Sequence, residues 1–241
     1  MTLNRPFWLL TAVVLLSPAT QAQQIKRELG DFDFTLATTP SRTMAEGLIS
    51  PAAVGSFHGG VDLSHPNGVY FGQYAPSMGL TKTSTLKLDN YAGYKQEFTD
   101  SLGYEVGVIH YTQPNQPEAN SYALYGGLSL LGSRFGGAFN DSPDNRTGTL
   151  FANLGRLPLL DADFTLKVAH HQLGTPFTIG EGGQVDSFND WSLKFSRPWR
   201  GVDLDLEYSN SSLTGSGCDA YSGINSTCDS MVTLRAQRRF F

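Results

Sequence analysis

The sequence predicts an all-β protein, a closed antiparallel up-and-down transmembrane β-barrel of about twelve strands, with ten or fourteen as alternatives. Charged residues make up only 16% of the 241 residues and hydrophobic residues 40%, while Gly (26) and aromatic residues (12%) are abundant. That composition is unlike the one that helical bundles need. After Asp31, apolar and polar residues alternate at period two, and short and long connections alternate along the chain. Both patterns are typical of barrels with tight turns at one end and long loops at the other.

Charge and hydropathy exclude two other classes of protein. The net charge is −5 and the sequence has no basic run, so nucleic acid is not an expected partner. The mean hydropathy of −0.22 argues against a helical membrane protein. It does not argue against a transmembrane barrel, because a barrel averages one apolar and one polar face to a neutral value.

The first 22 residues are predicted to be a secretory signal peptide. Arg5 supplies the positive charge, Phe7 to Leu16 form the apolar core, and small residues lead to a cleavage site after Ala22. Ten apolar residues are about half of what a membrane-spanning helix needs. We therefore expect residues 23–241 to be exported as one β-barrel domain without a helical anchor.

The alternation at period two defines the predicted strands. In one of them, Leu204, Leu206 and Tyr208 alternate with Asp205 and Glu207, which gives one apolar and one acidic face. Aromatic residues near strand ends fit the girdles of a membrane barrel better than a soluble lipocalin-like barrel or sandwich. The predicted strands are residues 31–38, 53–64, 69–77, 84–97, 103–112, 120–130, 133–140, 147–155, 163–172, 187–197, 201–210 and 230–241.

The two cysteines, Cys218 and Cys228, lie in one long connection rich in Gly, Ser and Asn. In an oxidising compartment an even pair ten residues apart is expected to form a disulfide. No His lies near enough in the sequence to complete a zinc site with them, and no cofactor is expected.

Several short motifs carry a resemblance to a known family. Gly47-Leu48-Ile49-Ser50 precedes Pro51-Ala52, a glycine-rich strand runs from Gly59 to His65, and Gly68-Val69-Tyr70-Phe71-Gly72 follows. The stretch from Phe34 to Gly79 thereby resembles the opening of the TorF-type putative porins, Gram-negative outer-membrane barrels of poorly defined function. The resemblance implies location in the bacterial outer membrane and a pore, and it supplies no catalytic residue and no defined substrate.

The expected function is a porin-like channel for diffusion of small polar solutes or ions. Its partners would be outer-membrane lipid, the solutes, and the barrel-assembly machinery, which would engage a last strand ending in Phe240-Phe241. The oligomeric state is left open. Charges of both signs on the polar phase either create a transverse field in the lumen or pair across strands and stabilise the wall. The residues predicted to line the pore are Asp62, Lys87, Asp89, Glu105, Lys167, Lys194, Asp203, Asp205, Glu207 and Arg235.

Two other functions stay open. A non-conducting barrel could bind a partner or act structurally through its long loops, with the Cys218–Cys228 connection as the contact surface. A barrel enzyme would use a histidine near the rim, and His110, His170 and His171 are the candidates. His110 and His170 fall on the apolar phase and His171 on the lumen phase, but the sequence shows no nucleophile within reach of any of them. An enzyme is therefore not expected.

Overall fold

In the part of the chain that the structure describes, one antiparallel sheet of thirteen strands forms the fold. The structure is a computed structural model and describes residues 25–37, 48, 58–80, 85–142, 144–157, 161–179, 183–223 and 228–238. The strands are β1 Ile25–Leu29, β2 Phe32–Ala37, β3 Gly59–Ser64, β4 Val69–Met78, β5 Leu86–Thr99, β6 Leu102–Thr112, β7 Ser121–Leu130, β8 Ser133–Asp141, β9 Asn145–Leu157, β10 Ala162–Thr178, β11 Gln184–Trp199, β12 Val202–Ser211 and β13 Met231–Arg238.

The topology is up and down throughout. Each strand pairs with the next one along the chain, in the order β1 to β13. Tight turns such as Leu131-Gly132 and Arg200-Gly201 join the strands at one end, which we call the short-turn end. In both turns the two central residues have positive φ, as two-residue hairpins of type I′ require. The longer connections, including 113–120 and 212–230, lie at the other end, which we call the long-connection end.

The polarity of the sheet is the reverse of that of a protein dissolved in water. Leu124 and Leu150 are 64% and 69% exposed, whereas Asp62, Glu105 and Asp190 are 2%, 1% and 1% exposed. The two sets alternate along the strands, as the period of two in the sequence predicts. One face of the sheet is therefore apolar and open, and the other is polar and enclosed. We call them the outer and the inner face.

Contacts between distant strands show that the sheet curls around its inner face. Tyr70 of β4, Tyr125 of β7 and Phe151 of β9 belong to one buried cluster, against which Leu48 also packs. Flat strands three apart are about 14 Å from each other, so the sheet must bend strongly for these side chains to meet. The curvature encloses the polar residues of the inner face.

The predicted strands agree with the observed ones in position, but the described residues form thirteen strands and not twelve. Each of the twelve predicted segments overlaps one strand, β2 to β13. Strand β1 was not predicted, and the sheet is an antiparallel up-and-down sheet with β1 and β13 at its two edges. In the part of the chain that the structure describes, these two edges are not paired. The predicted signal peptide and Phe240-Phe241 lie outside the described residues.

Helices contribute little to this fold. In the described ranges they are Leu48, which is helical, and two short 3₁₀ segments, Pro117–Ala119 and Gly215–Ala220. No helix there is long and apolar enough to span a membrane.

Candidate functional site

The strand register places all ten residues that were predicted to line a pore on the inner face. Residues directly opposite each other in adjacent strands point to the same side of a sheet. For example, Lys194 of β11 lies between Thr165 of β10 and Glu207 of β12. The ten residues on this face are Asp62, Lys87, Asp89, Glu105, Lys167, Lys194, Asp203, Asp205, Glu207 and Arg235.

Strands β3 to β7 carry a buried group of carboxylates and tyrosines on this face. Asp62, Asp89 and Glu105 are all buried. The Tyr70 hydroxyl donates a hydrogen bond to Oε1 of Glu105 at 2.7 Å. The Tyr91 hydroxyl donates one to Oδ2 of Asp62 at 3.2 Å. Hydrogen bonds to a charged acceptor offset part of the cost of removing these carboxylates from water.

Glycines on neighbouring strands make room for the tyrosine rings. Tyr70, Gly93, Gly107 and Tyr125 lie opposite one another in β4 to β7. A Cβ on Gly93 would lie 2.5 Å from Cζ of Tyr70, and a Cβ on Gly107 would lie 2.5 Å from Cζ of Tyr125. The two rings therefore lie flat along the wall and approach each other over the two glycines. The same arrangement recurs for Tyr74 over Gly60, Tyr91 over Gly72 and Phe151 over Gly136.

Away from the long-connection end, the inner face of β10 to β13 carries charges of both signs that are only partly buried. Lys194 lies directly opposite Glu207, and Asp205 lies directly opposite Arg235. Opposite charges at such positions attract each other across the strands. The carboxylates of β12 are therefore interleaved with basic residues on the same stretch of wall. On these strands the acidic and basic residues are therefore not separated onto two different walls.

A second buried polar network lies on the inner face near the long-connection end. Nε2 of His171 is 3.2 Å from Oδ1 of Asp190, and its Nδ1 is 3.0 Å from the Thr147 hydroxyl. The Tyr221 hydroxyl donates a hydrogen bond to Oδ2 of Asp190 at 3.2 Å. The ring of His171 stacks on Phe188 with a centroid distance of 4.5 Å. The sequence predicts His171 on the lumen phase, in agreement with its position on the inner face. Its partners could not be predicted, because they depend on strand register and on the path of a loop.

The other two candidate histidines lie on the outer face. His110 stacks on Tyr122 with ring centroids 4.3 Å apart. His170 has Nδ1 2.8 Å from Oδ1 of Asn189. Both positions agree with the apolar phase predicted for them, and each ring has an ordinary packing or hydrogen-bonding partner there.

The cysteine pair is joined as predicted. Cys218 and Cys228 form a disulfide with their Cα atoms 5.5 Å apart. Asp229 lies close to both sulfur atoms. Since each sulfur is bonded to the other, neither is free to bind a metal ion as a thiolate.

A protein-family model matches most of the chain. The family described as "Bacterial protein of unknown function (Gcw_chp)" matches residues 52–240. The chain belongs to the Gcw_chp family. The matched range contains β3 to β13, and with them all ten inner-face residues named above. No significant similarity to a curated protein or to a solved structure was found. The resemblance to TorF-type porins therefore stays a hypothesis.

This Gcw_chp chain also has a polar cavity at the long-connection end. Its volume is about 520 Å³, and it lies between the β8–β9 turn and β10. Asn145, which lines it, contacts both Nδ1 of His171 at 3.4 Å and the Ser222 hydroxyl at 3.3 Å. The remaining lining residues are Asp141, Ser142, Arg146, Gln172, Leu173 and Gly174. The cavity thus adjoins the His171 network.

Proposed function

We propose that the chain is a Gram-negative outer-membrane β-barrel that lets small polar solutes or ions diffuse through its polar interior. The observation that supports this best is the reversed polarity of the sheet, with leucines on the open face and carboxylates on the enclosed one. A continuous apolar face exposed to water favours aggregation or binding. In a bilayer the same face would contact lipid, and the hydrogen-bonded strands would leave few backbone groups unpaired.

The proposal requires the sheet to close, and we place the closure between β2 and β13. Strand β1 has only five residues, and Arg27 lies in its middle on the outer face, opposite Phe34. An arginine facing lipid is costly, so β1 is a poor wall strand. If β1 leaves the edge, β2 and β13 can pair antiparallel in a barrel of twelve strands, an even number as in most bacterial barrels.

Cysteine cross-linking tests the closure. A cysteine at Phe34 of β2 or at Arg27 of β1 would be combined with one at Val232, Leu234 or Ala236 of β13. A short bifunctional reagent that joins 34 to the β13 positions supports twelve strands. A cross-link formed only from position 27 would instead indicate a barrel of thirteen strands that is closed by parallel pairing of β1 with β13. If neither position is linked, the closed barrel is wrong.

The interior suggests where solutes would pass. Eight-stranded barrels are filled by side chains, and those of 16–18 strands leave a wide channel, so a barrel of about twelve strands is intermediate. On β3 to β7 the inner side chains are packed together and Tyr70 and Tyr74 are fully buried. On β10 to β13 Lys194, Asp205 and Glu207 remain partly exposed. We therefore place the pathway along β10 to β13.

Conductance of the refolded chain, lacking residues 1–22, in a planar bilayer tests the function. Discrete current steps support a channel, and the reversal potential in a salt gradient measures the preference for cations or anions. Membrane insertion is measured separately through Trp191 and Trp199, which both lie on the outer face. Lipids brominated at different depths should quench their fluorescence. Absence of quenching contradicts the membrane barrel itself.

A non-conducting barrel that binds partners through its loops is the second candidate. Burial of Asp62, Asp89 and Glu105 favours it, because these carboxylates on β3 to β7 are enclosed by other side chains and do not face an open pathway. If brominated lipids quench the tryptophans but the bilayer shows no current steps, the barrel is inserted without conducting, and this second function is favoured.

A further inference from the structure

The connection between β12 and β13 folds back over the inner face. We call its described part, Leu213–Gly223 with Cys228, the disulfide segment. Leu213, Cys228 and Tyr221 pack against Phe188 of β11 in one apolar cluster. Phe188 lies opposite His171 of β10, and both are on the inner face. The segment is therefore held against the inside of the sheet at the long-connection end.

Polar contacts fix the segment at two further points. The Tyr221 hydroxyl donates a hydrogen bond to the buried carboxylate of Asp190. Nδ2 of Asn145, at the start of β9, donates one to the Ser222 hydroxyl. A Cβ on Gly223 would collide with the Asp190 carboxylate, which shows how closely the backbone passes over that residue. The segment thus crosses the inner wall from β11 towards β9.

We propose that the disulfide segment is a latch that narrows the solute pathway at the long-connection end, with Tyr221 as the residue that holds it on Asp190. This rests on the proposed function. The segment occupies space directly in front of β9 to β11, and two of these strands, β10 and β11, belong to the wall along which we place the pathway. The Cys218–Cys228 disulfide shortens the connection and so favours the docked arrangement over extended ones.

The hydroxyl, imidazole and carboxylate of Thr147, His171 and Asp190 stand in the order used for nucleophilic catalysis. The same contacts also hold Asp190 in the position that the latch requires. Both ring nitrogens of His171 have partners, its face is covered by Phe188, and the second oxygen of Asp190 accepts from Tyr221. His171 thereby positions Asp190 to receive the Tyr221 hydroxyl.

Hydrogen exchange read by mass spectrometry tests the latch in the full mature chain refolded in lipid. We compare the wild type, the wild type after reduction of the disulfide, Tyr221→Phe, and the control Tyr94→Phe. Tyr94 also donates a hydroxyl hydrogen bond, to Gln96 near the short-turn end. Exchange in peptides covering 212–223 should rise about tenfold in Tyr221→Phe, as for the loss of one hydrogen bond to a buried charge. It should also rise on reduction and stay unchanged in the control.

Exchange that is the same in the wild type, the reduced protein and Tyr221→Phe overturns the latch. Conductance of the same four samples then tests the narrowing. Larger current steps in Tyr221→Phe and in the reduced protein, but not in Tyr94→Phe, support it, and equal steps overturn it. Silence in all four samples rejects the channel and the narrowing together, while the exchange difference still decides whether the segment is held by Tyr221.

Discussion

The hydroxyl groups of Tyr70 and Tyr125 are hydrogen-bonded to each other, although the two residues lie on strands β4 and β7. Their rings come from opposite sides and lie over Gly93 and Gly107, which face each other in β5 and β6. Glu105 accepts a further hydrogen bond from Tyr70. This row of residues joins four strands on the inner face and allows the sheet to curl tightly there.

Alanine at Gly93 or Gly107 is expected to destabilise the protein by about 1–3 kcal/mol, the usual cost of overpacking a filled site. The added Cβ would lie 2.5 Å from Cζ of Tyr70 or of Tyr125, so the ring must leave the wall. Gly148 of β9 is the control, because a Cβ there meets no atom within 4 Å. Urea unfolding of the barrel refolded in lipid measures the difference. Equal stability of Gly93→Ala, Gly107→Ala and Gly148→Ala would contradict the packing.

Removal of the Tyr70 hydroxyl tests the buried hydrogen bond to Glu105. In Tyr70→Phe this carboxylate loses a donor at 2.7 Å and the Tyr125 hydroxyl loses its partner on Tyr70, and we expect a loss of about 1.5–3 kcal/mol in unfolding free energy. Tyr94→Phe removes a similar bond, to Gln96, at a partly exposed position. The control is expected to cost about 0.5–1.5 kcal/mol. The same denaturant titration distinguishes them, and a larger loss in the control would refute the role given to Glu105.

The alternation in the sequence was enough to predict the two faces of the sheet. A strand has a period of two, so Asp203, Asp205 and Glu207 had to share one face wherever β12 lay. The turn residues Leu131-Gly132 were predicted for the same reason, as a break between two alternating runs. Strand β1 was missed because it is short and charged and directly follows the predicted signal peptide.

Contacts between strands could not be predicted in this way. The pairing of Tyr70 with Gly93 depends on register, and a shift of one residue would turn every side chain to the other face. The approach of Tyr221 to Asp190 depends on the path of a long connection, which has no periodicity to read. The glycines on the polar phase were a usable signal, since a strand glycine often marks a close approach by another group.

The outer face can be tested with two leucines of similar exposure. Leu124 in β7 and Leu131 in the following turn are 64% and 78% exposed. If the outer face contacts lipid, Leu124→Arg should cost about 2–4 kcal/mol and Leu131→Arg about 0–1 kcal/mol, because the cost of a lipid-facing arginine depends on its depth. Unfolding of both variants in vesicles measures the two values. Equal small effects would place the outer face in water.

The charges on β11 and β12 test the position of the pathway. Lys194 and Glu207 lie opposite each other on the inner face, so each acts on an ion that passes beside this wall. One charge changes the energy of an ion ~4 Å away by about 1 kcal/mol in water, which is at most about a fivefold change in permeability ratio. Glu207→Gln should therefore shift the reversal potential in the direction of greater anion permeability. Lys194→Gln should shift it in the direction of greater cation permeability.

Asp100→Asn is the control for this pair, because Asp100 lies in the exposed turn between β5 and β6. It should leave the reversal potential unchanged while removing the same charge from the chain as Glu207→Gln. Low salt is needed, since the Debye length falls to about 10 Å at 0.1 M. Opposite shifts in the two inner-face variants locate the pathway along β10 to β13. A shift of the same size in Asp100→Asn, or none in any variant, would mean that ions pass elsewhere and that these charges only hold the strands together.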